Sequence, residues 1–265
     1  MSEPFVYLVM PHRNLDTKLG AGKGYWQASS KLKICHDNHG HSVLEHNFNV
    51  LWTNGLNRRH NGLTHFAMQH NDVCPTAGWL DILMAEMDAT GADMVGAVVP
   101  IKNDRGLTSL AVHHHEDLWT PRRLTMSEVF RLPATFRAEE VLWHGPAYGQ
   151  LLLNTGLWLV KLGDWCDRIV PSTGQVPTFR VQTRILNVRP GGKDRCPQFI
   201  PEDWDWSRQL QELGLTVAAT RKVSLYHENP DYHTNGPWGT WNTDLGFYEF
   251  NKRLREARAE AADAA

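Results

Sequence analysis

Three short apolar runs, Phe5 to Met10, Leu63 to Met68 and Asp93 to Ile101, alternate with two longer segments in which apolar residues return at helical spacing. This alternation restricts the chain more than any other feature. Phe5-Val-Tyr-Leu-Val-Met10 is apolar throughout and stops at Pro11, the pattern of a strand buried on both faces of a parallel sheet. Val43, Leu44, Phe48, Leu51, Trp52 and Leu56 recur with a helical period, and Ser42 with Glu45 three residues on reads as a capping box. The pattern predicts a helix over about 42–60 that ends near Asn61-Gly62. A second helix is predicted from Gly78 to Thr90. Strand, helix, strand, helix, strand implies an α/β fold, a mostly parallel central sheet flanked by helices, with sites at the carboxyl ends of the strands.

The remaining segments are less regular. Residues 14–41 are polar and contain several glycines, so they read as loop with a short helix around Tyr25 to Leu32. Within them, Gly20-Ala-Gly-Lys-Gly24 has the composition of a phosphate loop without its GxxxxGK[ST] spacing, and reads as a flexible active-site loop. Leu151 to Lys161 reads as a strand interrupted at Asn154-Thr155-Gly156. A helix is expected from Trp204 to Leu213 and a strand from Thr216 to Tyr226. The tail beyond Phe247 reads as an Ala/Glu/Arg helix that frays.

Composition narrows the classes. A chain of 265 residues with 42% apolar content can bury one substantial core, so one domain is expected. A formal net charge of -2 argues against a protein that grips a long nucleic acid through many phosphates; a nucleic-acid acceptor held locally is compatible with it. Cys35, Cys74, Cys166 and Cys196 are dispersed, with no CxxC pair, which points to reduced thiols in a cytoplasm. No apolar stretch approaches the roughly 20 residues needed to cross a bilayer, and the N-terminus lacks the pattern of a leader peptide. The chain holds 11 Trp and 14 His, side chains that join a flat apolar face to a polar handle and serve equally in cores and in sugar sites. The segments Cys35 to His41 and His113-His-His115 carry zinc-type ligands without the paired spacing of a zinc site, and read as exposed polar loops.

Three places carry residues suited to chemistry. In HFAMQHNDVCP, Asp72 follows an apolar run and stands where a carboxylate can hold a divalent ion against two phosphates; a turn or cap role is the alternative. In FIPEDWDWSRQLQELG, Glu202 and Asp203 precede an amphipathic helix, either as favourable charges at its first turn or with one as the general base for an attacking hydroxyl. In SLYHE, His227 closes a strand, as a metal ligand or as an ordinary hydrogen-bonding residue.

Taken in order, VYLVMPHRN, THFAMQHNDVCPTAGWLDILMAEM, DMVGAVVPIKNDRGLTS, LLLNTGLWLVK, PEDWDWSRQLQELGLTVAA and VSLYHE resemble the GT-A glycosyltransferases, in particular the family 2-like enzymes, over residues 5–228. The resemblance implies a Rossmann-like GT-A domain over 1–246, with a nucleotide-binding part of about 1–105, an acceptor part of about 106–246 and a tail at 247–265. It implies transfer of a sugar from a UDP- or GDP-sugar to an acceptor hydroxyl, with inversion, assisted by Mn²⁺ or Mg²⁺. Asp72 is then the metal carboxylate and His227 a second ligand, with His70 binding metal or pyrophosphate. Asp203 is the base and Glu202 its neighbour. Pro11, His12 and Arg13, with Asn71 and Asp72, hold the nucleotide, while Lys102, Asp104, Arg105, Asn154, Thr155, Gly156 and Trp204 or Trp206 line the sugar and acceptor side. The family's metal motif is usually Asp-x-Asp, whereas this chain has His70-Asn71-Asp72. A GT-A-like module that binds nucleotide or carbohydrate without turnover, and a transferase acting on modified nucleic-acid bases, are the competing readings. Gly191-Gly-Lys-Asp-Arg195 reads as a lid that orders over bound donor.

Overall fold

The computed structural model describes residues 3–13, 19–101, 107–114, 119, 121–144, 148–187, 193–227 and 240–241. β1 (Phe5–His12) is buried over nearly its whole length. α1 (Leu19–Trp26) leads to β2 (Lys33–Gly40), which pairs with β1 in parallel, Phe5 opposite Lys33 through His12 opposite Gly40. α2 (Leu44–Asn57) crosses to β3 (His65–Gln69), parallel to β1 on its other side. Next come β4 (Val73–Pro75), α3 (Trp79–Thr90) and β5 (Met94–Ala97). The second half contributes β6 (Leu107–His114), β7 (Arg122–Thr125), α4 (Met126–Arg131), β8 (Thr135–Phe136), β9 (Tyr148–Leu152) and β10 (Leu157–Lys161). It closes with β11 (Gln182–Asn187), β12 (Arg195–Ile200), α5 (Glu202–Glu212), β13 (Val217–Thr220), β14 (Leu225–His227) and β15 (Thr240–Trp241).

The central sheet has seven strands in the order β2-β1-β3-β10-β5-β13-β8. β10 runs antiparallel to both neighbours and β8 antiparallel to β13, and the others are parallel. The fold is thus α/β with a mostly parallel central sheet, as the apolar alternation predicts. The two halves of the chain interleave, because β10 sits between β3 and β5 and β13 beside β5. Small sheets β7-β6-β9 and β15-β14-β4 and the ribbon β11-β12 surround it. None of the four cysteines is joined in a disulfide. Among the described residues, no helix is long and apolar enough to cross a membrane.

Several expectations are corrected. Within the segment 14–41, whose residues 14–18 lie outside the described ones, residues 19–41 do not form a loop with a helix at Tyr25 to Leu32; α1 lies earlier, and β2 is a strand. β2 escapes the periodicity test because it is the edge strand, half open to water, where polar residues are tolerated. Nor is Gly20 to Gly24 a flexible loop. These residues lie within α1, and a Cβ on Gly20 would come within 2.9 Å of Cys74 Sγ and one on Gly24 within 2.8 Å of Pro75 Cδ. The glycines let the helix lie against β4. His113 and His114 end strand β6, with His113 buried, so this stretch is no exposed loop. Leu151 to Lys161 divides between two sheets as β9 and β10, and Thr216 to Tyr226 divides likewise into β13 and β14. Ser42 is not the cap of α2: Val43 holds that position without a side-chain hydrogen bond.

Among the described residues, most tryptophans fill the core. Trp52 from α2, Trp158 from β10, and Trp206 from α5 meet Phe66 and Phe179, with Phe179 stacked on Trp206 at 4.2 Å and Trp52 edge-on to it at 5.0 Å. The proline-bearing stretch that carries Phe179 is held by amide side chains. Asn49 bonds both backbone polar groups of Phe179, at 2.7 and 2.9 Å, and Gln209 bonds both of Thr178, at 2.7 and 3.1 Å. Buried backbone polar groups in irregular chain require such partners. Truncation of Trp206, which is fully buried, is expected to lower unfolding free energy by about 3–5 kcal/mol. Truncation of Trp26, 69% exposed, is expected to change it by under about 0.5 kcal/mol. Urea midpoints of Trp206→Ala and Trp26→Ala measure the difference.

Candidate active site

β3 ends at Gln69, and the chain turns through His70-Asn71-Asp72 into β4. The turn is pinned from three directions. Gln69, wholly buried, donates from Nε2 to the carbonyls of Ala21 and Val73 at 2.8 and 2.9 Å. The Val73 amide donates to His70 O at 3.1 Å, and the His70 amide to Gly156 O at 2.8 Å. The His70 ring lies tilted against Phe48, centroids 5.1 Å apart.

Pairing of β14 with β4 sets His227 opposite Val73, beside Asp72. Nδ1 of His227 is 2.7 Å from the carbonyl of Pro100. A carbonyl only accepts, so Nδ1 carries the proton, and in the neutral ring Nε2 presents its lone pair. That nitrogen is 3.8 Å from Asp72 Oδ2, too far for a hydrogen bond. A fixed tautomer with Nε2 turned toward a carboxylate is the donor set that suits a divalent cation. Among the described residues no group of three or more His, Cys, Asp or Glu is gathered at one point. Two protein donors fit an ion that takes its other ligands from phosphate and water, as Mg²⁺ does.

α5 begins after Pro201, its N-cap, which makes no side-chain capping bond. Asp203 lies in the first turn, 8% exposed. Its Oδ1 accepts from the Trp204 amide at 2.8 Å and its Oδ2 from Asn154 Nδ2 at 3.0 Å. Burial, followed by the charge of Glu202, pushes its carboxyl up to about 8, against the Trp204 amide, the Asn154 amide and Arg123, which favour the anion. Glu202 is also raised, by burial and by Glu45 on α2. An acid raised in this way meets the demand on a general base near neutral pH.

Asp205, two residues on, was not singled out by the sequence and is built in the opposite manner. It is completely buried and accepts from Arg180 Nε at 2.6 Å, Arg208 Nη2 at 2.6 Å, Gln209 Nε2 at 2.7 Å and Gln182 Nε2. Paired so fully, it fastens the segment entering β11 to α5. Nothing in the spacing of Glu-Asp-Trp-Asp separates the two aspartates; the partners do, Arg208 and Gln209 from the same helix and Arg180 and Gln182 from a segment distant in sequence.

The other predicted residues scatter in role. Pro11 and His12 are buried at the end of β1, and Arg13 is exposed beyond it. His12 O accepts from the Asn47 side chain and from the His41 amide, both at 3.1 Å, and a Cβ on Gly40 would come within 2.4 Å of the His12 ring. This group lies at the carboxyl ends of β1 and β2, on the edge where β3 ends and β10 starts. Thr155 is fully buried. Neither Trp204 nor Trp206 offers an open stacking face: Trp204 is 7% exposed, donates from Nε1 to Ser109 O at 2.9 Å and lies under the Arg123 guanidinium at 4.6 Å, while Trp206 belongs to the core. Lys102, Asp104 and Arg105 lie outside the described residues, as do Gly191 and Gly192 of the expected lid and the tail from 247.

The raised carboxyl of Asp203 sets a pH dependence of folding. In the unfolded chain an Asp loses its proton near 4, and in the folded chain only at about 8. Between these values the folded state binds more protons, so stability falls as pH rises. Asp203→Asn is expected to flatten that slope, read from denaturant midpoints between pH 4 and 8; an unchanged slope would refute the burial of an unpaired carboxyl.

No protein-family model matches the chain, and no curated protein matches it. Among solved structures it is similar to A197 from STIV, at 12% identity and a TM-score of 0.47, over 85% of this chain and 86% of that one.

Proposed function

We propose that this chain is a GT-A-type glycosyltransferase that moves a sugar from a nucleoside-diphosphate donor to an acceptor hydroxyl, acting in the cytoplasm. The observation that carries the reading is the meeting of two unlike acid–base groups at one edge of the sheet. Asp72 with the Nε2 lone pair of His227 stands on one side, and the buried, raised carboxyl of Asp203 on the other, linked through Asn154 and Gly156 to His70. The first suits a cation-bound diphosphate, and the second a base.

A divalent cation held by Asp72 and His227 would offset the negative charge that grows on the departing diphosphate. The protein's own part is positional and protic. Asp203 takes the proton of the acceptor hydroxyl while that oxygen bonds to the anomeric carbon, and the bond from that carbon to the diphosphate oxygen breaks on the opposite face. The anomeric configuration inverts. Burial of Asp203 keeps water from competing for its lone pairs and raises its basicity, and the two amides that hold it fix the orientation of the carboxyl group while each oxygen keeps a further lone pair.

With nucleotide sugars and Mn²⁺ supplied, release of UDP or GDP is expected to rise with pH toward about 8, as Asp203 ionises. Asp203→Asn is expected to lower turnover by about 10²–10⁴-fold, the usual worth of a general base, with donor binding kept in a thermal-shift assay. His227→Ala is expected to weaken the Mn²⁺-dependent part of the donor shift. Near wild-type turnover by Asp203→Asn overturns the assignment. Donor binding without turnover by the wild type selects the non-catalytic module instead.

A further inference from the structure

We propose that Asn154 is a positioning residue, which aims Asp203 and locks it in register with the His70–Asp72 turn through the peptide of Gly156, and that its side chain does not bind the sugar. The inference rests on Asp203 being the base. Asn154 lies in the four-residue link between β9 and β10, in the gap of what the sequence presents as one strand. Its carboxamide is committed at both ends. Oδ1 accepts from the Gly156 amide at 2.6 Å, and Nδ2 donates to Asp203 Oδ2 at 3.0 Å. An amide N–H can only donate, so the atom facing Gly156 is the oxygen, and the NH₂ group must face Asp203.

The same Gly156 peptide reaches the other half of the site, since its carbonyl accepts from the His70 amide at 2.8 Å. One glycine therefore joins Asn154, which holds the base, to the acidic turn. A side chain there would displace the Asn154 carboxamide: a Cβ on Gly156 would come within 2.4 Å of Asn154 Oδ1 and 3.3 Å of Val73 Cγ2. A second tie keeps the link in place on α5, where Ser207 Oγ accepts from the Leu153 amide at 2.9 Å and donates to Asp203 O at 3.1 Å. Leu157 then pairs with Gln69 and sets the register of β10 on β3. The link cannot slide without breaking the bond to Asp203.

The charges around Asp203 give this amide its leverage. Glu202 adjoins it on α5 and disfavours a second anion there, Glu45 of α2 acts in the same sense on Glu202, and Arg123 of β7 favours the Asp203 anion. Asn154 supplies a neutral donor that prefers the ionised carboxylate and leaves the net charge unchanged. Removing it withdraws support from the anion and frees the side chain of Asp203 to turn.

The test combines titration with kinetics. In the wild type with ¹³C-labelled aspartate, assigned by comparison with Asp203→Asn, the carboxamide protons of Asn154 are expected to shift with the same midpoint as the Asp203 carboxyl. In Asn154→Ala that midpoint is expected to rise by about one pH unit, and further in Asn154→Asp, which keeps the acceptor for Gly156 and replaces the donor by a charge. Turnover is expected to fall about tenfold or more, with KM for donor and acceptor within about threefold. An Asn154 signal that ignores Asp203 in the wild type, an unmoved midpoint in a folded variant, or a raised KM with unchanged kcat overturns the proposal, the last by showing a contact with substrate. Absence of transfer by the wild type with every donor would instead sink the glycosyltransferase reading, and the titration would still decide whether Asn154 governs Asp203.

Discussion

The placement of β10 decides the rest of the architecture. Running antiparallel between β3 and β5, it starts where β3 ends, so the link that precedes it arrives at the carboxyl edge of the parallel strands. A parallel strand in that slot would enter at the opposite edge, and Asn154 and Gly156 would be far from His70 and Asp72. The strand is held there by burial. Trp158 projects from it into the cluster of Phe66, Trp206 and Phe179, so core packing and the site share one strand. Loss of that packing would loosen the site before the sheet itself unravelled.

Helix α5 shows how one sequence motif yields two electrostatic outcomes. Asp205 is surrounded by arginine and amide donors, and its charge is neutralised locally. Asp203 is also buried but has two amide-type donors and an acidic neighbour. A buried carboxylate with a good ion pair tends to be a fastening, and one without tends to hold on to its proton. The helix thus holds one acid as a paired anion and leaves the other inclined to keep its proton, at a cost in stability that grows as pH rises. The close ties from Ser207 and Asn154 explain why the first turn of α5 withstands that cost.

Much of the sheet was legible in the sequence, and the reasons for the failures are physical. β1, β3 and β5 are buried on both faces, so they read as unbroken apolar runs. β2 is an edge strand and β14 a three-residue strand, and neither needs such a run. α1 was hidden by glycines that serve close packing on β4 and not flexibility. Of the site, Asp72, Asp203 and His227 stood out because each follows or precedes a regular element. Asp205 and Glu45 did not: the burial of Asp205 between α5 and the segment of Arg180 and Gln182, and the approach of Glu45 to Glu202, arise from residues far away along the chain. Trp204 was misjudged for the same reason: its ring is covered from above by Arg123 and its indole nitrogen is taken by Ser109.

Side-chain amides recur wherever the strands run out. Gln69 holds the turn after β3, Asn47 the end of β1, Asn49 and Gln209 the stretch that carries Phe179, and Asn154 the approach to β10. At these ends the backbone leaves its ladder, and its buried N–H and C=O groups need partners. A lysine or carboxylate could supply only one kind of bond and would add charge. An amide supplies both kinds and adds none. The edge of the sheet is therefore stitched with neutral groups, and the field at that edge is left to Asp72, His227, Glu202 and Asp203. A substitution of any of these amides by its acid would keep the shape and alter the field, which makes electrostatic neutrality, as much as geometry, the condition under which a raised carboxyl and a histidine lone pair can work side by side.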